Sequence, residues 1–193
     1  HGVEVSNLAV LIAKELNEKE EFCRNIEIAG ILHDIGKLKL MKYLYSQDGL
    51  IVEQMKYVRQ HTAQSYEMMR DAGYDEILAN AVFHHHENFD GSGYPDNLRG
   101  EDIPYMARIL RVCDVFIALT SKRVYRNAFD PKSALEIMID EVGDYDMHVF
   151  LAFQRVVHRD VFQEGIASLK EIRDERQLEP LKLFVKEMQH TGN

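Results

Sequence analysis

Helical spacing of apolar residues along nearly the whole chain predicts an all-α protein. Three observations carry that prediction. Leu, Ile, Val, Ala and Met recur at i, i+3, i+4 and i+7 in one segment after another. No stretch alternates apolar and polar residues in the way a half-buried strand does. The turn-forming residues gather rather than scatter, with Gly91, Gly93, Pro95, Gly100 and Pro104 in one segment.

The elements follow in order. His1 to Leu16 reads as an amphipathic helix, with Val5, Leu8, Ala9, Ile12, Ala13 and Leu16 on one stripe and His1 one turn before Val5. Residues 17–21 are a polar break. The second helix runs from about Phe22 into Ile31-Leu32-His33-Asp34-Ile35-Gly36-Lys37. Ile28, Ile31, Leu32 and Ile35 hold helical spacing there, and Gly36 can end the helix at little steric cost. Residues 38–50 form a loop or a short helix, with Ser46-Gln47-Asp48-Gly49 as the clearest turn. A third helix carries Ile51, Met55, Val58, Thr62, Ser65 and Met69 on one stripe, sets His61 beside it, and closes at Gly73. The fourth begins near Asp75, aligns Leu78, Ala81, Val82 and His85, and ends in His84, His85, His86 and Glu87. Residues 89–104 are the longest irregular segment, a tight ordered loop or a flexible one. A fifth helix, about 105–121, turns Met106, Ile109, Leu110, Cys113 and Ile117 to the core and leaves Asp114 beside that line. Residues 133–142, 147–158 and the remainder to Asn193 read as further helices, interrupted at Pro180.

Composition sets the class. The chain has 193 residues, enough for one domain or one domain with an appendage. Hydrophobic content of 46% with 28% charged residues is that of an ordinary soluble protein. No apolar run approaches the roughly 20 residues that span a bilayer, which predicts no membrane insertion. Cys23 and Cys113 are too few for a disulfide framework and suit a reducing, cytoplasmic setting. A net charge of −9 argues against a nucleic-acid polymer as partner. Between Ile103 and Phe129, however, Asp114 is the only acid against Arg108, Arg111, Lys122, Arg123 and Arg126. Such a block suits a small anionic ligand, or simply a solvated helix face.

Ionisable residues fall where the pattern predicts burial: His33-Asp34, the triple histidine, and Asp114. An unpaired buried carboxylate is costly, and the usual remedies are a cationic partner or a metal. For the first motif alone, an Asp34–Lys37 ion pair at a helix end accounts for the residues equally well. Taken together, His1, His33, Asp34, His61, His85, His86 and Asp114 exceed what one tetrahedral ion takes. Imidazole and carboxylate without thiolate suit iron, manganese or zinc. A centre of two or more ions bridged by a carboxylate fits that count and serves phosphoryl transfer. Competing motifs fail: His86-Glu87-Asn88-Phe89-Asp90 misses H-E-x-x-H at its last residue, and there is no Walker A loop.

The order His1, His33-Asp34-x-Gly36-Lys37, His61, His85-His86-Glu87, Asp90-Gly91-Ser92-Gly93-Tyr94-Pro95, Asp114 resembles the HD-GYP family. These are helical, metal-dependent phosphodiesterases of the HD superfamily that hydrolyse cyclic di-GMP. The resemblance covers residues 1–160 and implies there an HD-superfamily helical bundle with a metal centre between helices; residues 161–193 lie outside it and read as a C-terminal helical extension. It makes His1, His33, Asp34, His61, His85, His86 and Asp114 metal ligands, with Asp34 and Lys37 catalytic. It places Lys37, Tyr94, Arg123 and Arg126 against the substrate. The implied cofactor is two or three divalent ions, iron or manganese. The third ion of the family takes a Glu one turn before the first His, a position ahead of His1. The chain departs from the family at Ile117, where many members carry a second Asp, at Met41, where a proline is frequent, and in residues 143–148.

The expected activity is hydrolysis of cyclic di-GMP to linear pGpG, GMP or both. The alternatives are a nucleotide- or partner-binding signalling domain with little turnover, or a phosphohydrolase acting on another cyclic dinucleotide or a nucleotide. The expected partners are the cyclic dinucleotide, an upstream sensory or receiver domain in a longer parent chain, a protein docking on the GYP loop, and a second copy in a homodimer.

Overall fold

The computed structural model describes residues 1–44, 58–122 and 127–159. The chain divides into two compact units, His1–Val156 and Val157–Asn193. Among the described residues all regular structure is helical, as the apolar spacing predicts. The helices are α1 (Gly2–Glu15), α2 (Glu20–Leu32), α3 (Lys37–Leu44), α4 (His61–Asp71), α5 (Glu76–Phe83), α6 (Tyr105–Thr120), α7 (Pro131–Asp140) and α8 (Met147–Val157). Short 3-10 turns at Gly100–Asp102 and Val142–Asp144 join the later ones. No described helix is long and apolar enough to cross a membrane.

The core is where the apolar stripes meet. α6 lies centrally and touches α1, α2, α5 and α7, and α1 also packs along α2. Val5, Leu8, Ile12, Ile26, Val82, Ile109, Leu110, Val112 and Phe116 are buried there. The α1–α2 crossing is close: a Cβ on Gly30 would come within 2.6 Å of the Ser6 Cα. Ser6 Oγ donates to the Glu27 carbonyl at 2.8 Å across the same contact. Phe116 meets Phe153 edge to face between α6 and α8, with Phe150 tilted against Phe153, and Arg108 bonds Asp146 at 2.6 Å across that boundary.

Several boundaries differ from the sequence reading, each for a local reason. The second helix stops at Leu32, so the His33–Gly36 motif is a turn and α3 starts afresh at Lys37. Gly36 is needed for contact rather than for helix termination: an added Cβ would run into the His61 carbonyl and the Ser65 backbone of α4. In the third predicted helix residues 51–57 lie outside the described residues, a turn falls at Gln60, and α4 begins at His61. Side chains take the carbonyls before that break, His61 Nδ1 meeting Val58 O and Thr62 Oγ1 donating to Arg59 O. α7 starts at Pro131, two residues earlier than read, because Asp130 caps it and proline suits the first helical position. Residues 89–104 resolve to the ordered alternative. Ser92 N bonds Asp90 Oδ1, Asn88 Nδ2 bonds Ser92 Oγ, and Asn97 Nδ2 bonds Gly93 O. The helices expected over 161–193, and the turn at 46–49, lie outside the described residues.

Candidate metal centre

Helix ends deliver most of the predicted side chains to one place. His33 follows α2 directly, His61 opens α4, and His85 and His86 follow α5. Asp34 sits in the turn after His33, and Asp114 comes from the middle of α6.

Three of the rings are held alike. Nδ1 of His33 lies 2.8 Å from Gly30 O, Nδ1 of His61 2.5 Å from Val58 O, and Nδ1 of His85 2.6 Å from Val82 O. Each bond reaches back three residues to a main-chain carbonyl. A carbonyl can only accept, so Nδ1 carries the proton and Nε2 presents a lone pair. These Nε2 atoms converge, with 3.4 Å between those of His61 and His85.

The carboxylates complete the cluster. Asp34 Oδ1 is 3.2 Å from His61 Nε2 and 3.9 Å from His85 Nε2. Its Oδ2 is 3.4 Å from His33 Nε2, 3.9 Å from His1 Nε2 and 2.5 Å from Lys37 Nζ. Asp114 Oδ1 lies 3.0 Å from His1 Nε2, and its Oδ2 3.8 Å from His86 Nδ1. The donors therefore fall into two groups, Asp34 with His61, His85 and His86, and His1 with His33 and Asp114, each with ligand atoms within 4.8 Å of one another. Asp34 faces both groups, one oxygen to each.

The electrostatics are those of a cation site. Burial, with the neighbouring His86 and His33 rings competing for protons, pushes His85 well below the ordinary imidazole range. Burial likewise takes His86 down to about 3. Burial would raise Asp34, but the adjoining His33 and His61 rings and the Lys37 ammonium hold it far below the usual carboxylate range. Asp114 is lowered in the same way, the surrounding histidines outweighing its burial. His33 runs against its burial and is raised by Asp34 and Asp114. Imidazoles kept neutral, as His85 and His86 are, beside ionised carboxylates are donors ready for metal. Two buried polar atoms, His33 Nε2 and Asp34 Oδ1, have no hydrogen-bond partner within the protein. Two Nε2 lone pairs facing each other at 3.4 Å repel unless a cation lies between them. The residues present thus fit divalent cations, and the hard oxygen and imidazole donors without thiolate fit iron, manganese or zinc.

Other expected residues are placed as follows. Lys37 is bound to Asp34 on the same turn, as the spacing predicts. The Tyr94 ring stacks on His86 at 4.8 Å between centroids, and burial raises its hydroxyl above the usual range. Arg123 and Arg126 lie outside the described residues. The basic block dissolves in part, because Arg108 is engaged by Asp146, and Arg111 bonds Asn88 Oδ1 at 2.8 Å and lies 3.8 Å from Asp144. His84 stays out of both donor groups, buried against Phe83 and near Glu87, and its Nδ1 has no hydrogen-bond partner.

Two residues went unread in the sequence. Glu87 is buried and accepts the Asp96 N–H at 2.7 Å, tying the Tyr94 loop to the histidine turn. Arg59 holds its guanidinium 4.8 Å over the Tyr94 ring. A charged residue directly after two predicted ligands hinted at the first. Nothing in the spacing marked the second, because its partner lies 35 positions away in a loop.

The HD domain family model matches residues 1–149. The chain belongs to the HD domain family. The resemblance to the HD-GYP branch is borne out with it, and relatives agree. Cyclic di-GMP phosphodiesterase PA4108 of Pseudomonas aeruginosa is 33% identical over 159 residues, 81% of this chain and 38% of the relative. Cyclic di-GMP phosphodiesterase response regulator RpfG of Xanthomonas campestris pv. campestris is 38% identical over 142 residues, 72% of this chain and 38% of the relative. The 3'3'-cGAMP-specific phosphodiesterase 1 of Vibrio cholerae is 33% identical over 153 residues, 78% and 36%. The chain thus spans under two fifths of the length of these curated relatives. Among solved structures, Bd1817, a HDG"Y"P protein from Bdellovibrio bacteriovorus, shares the fold with a TM-score of 0.65 at 21% identity, over 82% of this chain and 52% of that one.

Proposed function

We propose that this HD domain is a metal-dependent phosphodiesterase that hydrolyses cyclic di-GMP to linear pGpG, GMP or both. The observation that carries the reading is the pair of donor groups sharing Asp34, with Lys37 beside that carboxylate. The names of the relatives supply the substrate class.

His1, His33, Asp34, His61, His85, His86 and Asp114 would hold two or three divalent ions, iron or manganese. Such ions supply charge neutralisation at phosphorus and activation of a water molecule. The protein's own groups do the rest. Nδ1–carbonyl bonds keep the three rings turned inward, so little reorganisation is needed on loading. Asp34 orients the Lys37 ammonium at 2.5 Å, where Nζ neutralises or protonates an oxygen of the scissile phosphate. Tyr94, stacked on His86, walls one side of the cluster and lines the substrate site in this reading. Arg123 and Arg126 contact the nucleotide in this reading.

A second substrate is favoured by one observation. A relative named for 3'3'-cGAMP matches at the same 33% identity as one named for cyclic di-GMP. The residues that separate guanine from adenine therefore decide the reading's last step. The wider reading places the domain over 1–160 with an extension over 161–193. It puts the protein in the cytoplasm, under an upstream sensory or receiver module, with the GYP loop open to a protein partner and a second copy as homodimer.

The test is metal content of untagged protein purified without chelator, with turnover of cyclic di-GMP, 3'3'-cGAMP and cyclic di-AMP followed by chromatography. Two or three ions with turnover support the assignment. The double variant His33→Ala/Asp34→Ala is expected to lose metal and turnover together, and retained activity in it would sink the assignment. Full metal occupancy without turnover of any cyclic dinucleotide shifts the reading to a binding domain.

A further inference from the structure

A cyclic dinucleotide carries two phosphodiesters, and the metal centre with Lys37 accounts for only one. The second carries a full negative charge and needs a cationic partner nearby. Among the described cationic side chains around the cluster, most are already matched. Lys37 is bound to Asp34, Arg108 to Asp146, and Arg111 to Asn88 and Asp144.

Arg59 is different. It is exposed, and among the described residues its guanidinium has no carboxylate partner. It lies 4.8 Å over the Tyr94 ring, and Tyr94 itself stacks on the candidate ligand His86. A line of contacts thus runs outward from the cluster, from His86 to Tyr94 to Arg59. A guanidinium lying over a ring keeps its N–H donors at its edge, in the plane that pairs bidentately with a phosphate. The stack also removes much of the rotational freedom that an exposed arginine would lose on binding. Its base is fixed as well, because Arg59 O accepts from Thr62 Oγ1 at 3.1 Å, directly ahead of α4.

We infer that Arg59, held over Tyr94, binds the second, non-scissile phosphate of a cyclic dinucleotide and so helps to select that substrate over single phosphodiesters. The inference rests on the phosphodiesterase reading, and its test separates the two.

The variants are Arg59→Ala and Arg59→Lys in the manganese-loaded chain. Steady-state kinetics are taken with cyclic di-GMP and with bis(p-nitrophenyl) phosphate, which has one phosphodiester only. Binding of a slowly cleaved phosphorothioate analogue of cyclic di-GMP is measured by calorimetry at low and high salt. Arg59→Ala is expected to raise KM for cyclic di-GMP about tenfold or more, the loss of one charge-assisted contact, with kcat little changed. Its kcat/KM for the single diester should stay at the parent level. Analogue binding should weaken by the same factor and lose part of its salt dependence. Arg59→Lys should recover part of both, since the charge is kept.

Unchanged KM and analogue affinity in Arg59→Ala overturn the inference. Equal losses on both diesters also overturn it, because the residue then acts on the scissile centre or the fold. A lysine variant as weak as alanine overturns the phosphate assignment in favour of stacking on a base. If the parent binds the analogue without cleaving any diester, the phosphodiesterase reading fails while calorimetry alone decides Arg59. A parent that neither binds nor cleaves overturns both.

Discussion

Gly36→Ala tests the contact on which the cluster's geometry depends. The wild-type glycine lets the His33–Gly36 turn press against the start of α4. Gly36 N donates to Ser65 Oγ at 2.8 Å in a buried contact. A Cβ at position 36 would come within 2.8 Å of that same oxygen and nearer still to the His61 carbonyl and the Ser65 nitrogen. The latter two are backbone atoms, so no rotamer change relieves them. Overpacking of this kind costs about 1–3 kcal/mol. Stretching the Gly36–Ser65 bond adds about 1 kcal/mol. The same displacement moves His61, whose ring supplies a donor, and support-shell damage typically lowers metal affinity about 10–100-fold. The assays are urea unfolding of chelator-treated protein and calorimetric titration with manganese. Ser65→Ala is the control, because it removes the acceptor without adding volume. It should destabilise by about 1–3 kcal/mol, from the unpaired buried N–H, with a smaller effect on manganese. A Gly36→Ala protein with parental unfolding midpoint and manganese affinity would refute the close-contact argument.

Two further expectations concern the scaffold. Arg108→Ala strands Asp146, which is nearly buried and also caps α8 through His148 N and Val149 N, so a loss of about 3 kcal/mol in urea unfolding is expected. Asp130 is held below the ordinary carboxylate range by hydrogen bonds from Ser133 and by the backbone at the start of α7. Its folded value is thus below its unfolded one, so its contribution is present at neutral pH and lost as pH falls below about 4 through the folded value. Asp130→Asn should flatten that part of the stability–pH curve, and an unchanged slope would count against the cap.

Much of the site was legible because its chemistry is discontinuous with its surroundings. His85 sits on an apolar line with Leu78, Ala81 and Val82, and Asp114 adjoins Val112, Cys113 and Val115, so both stand out as polar groups at core positions. What the sequence could not carry was pairing over distance. Arg108 and Arg111 read as a ligand-binding block, since nothing at their own positions announces Asp146, Asn88 or Asp144 as partners. Glu87 and Arg59 escaped for the same reason. Gly36 was read through its conformational freedom, whereas its use is the approach of another helix. Helix existence followed from periodicity, whereas the stop at Leu32 and the fresh start at Lys37 had no signal in the apolar spacing, which runs on through Ile35.

The i−3 bonds of His33 and His85, which lie just past α2 and α5, explain why these donors sit at helix ends. The last carbonyls of a helix lack an intrahelical partner, and an imidazole just past the end can supply the missing donor. The bond satisfies the helix and at the same time fixes the ring's tautomer, so backbone and site are served by one proton. His85 gives the sharpest check. Burial keeps it neutral, and Val82 O takes its Nδ1–H at 2.6 Å. In metal-free protein at neutral pH, two-bond 1H–15N spectra of the imidazoles are therefore expected to show His85 with Nδ1 protonated and Nε2 bare. Manganese is paramagnetic, so zinc is the ion to add next. Its binding should shift the Nε2 resonance while Nδ1 stays protonated. An Nε2–H tautomer in the metal-free state would mean that the ring must turn or exchange its proton before it can hold an ion, and the preformed centre argued from these bonds would fall.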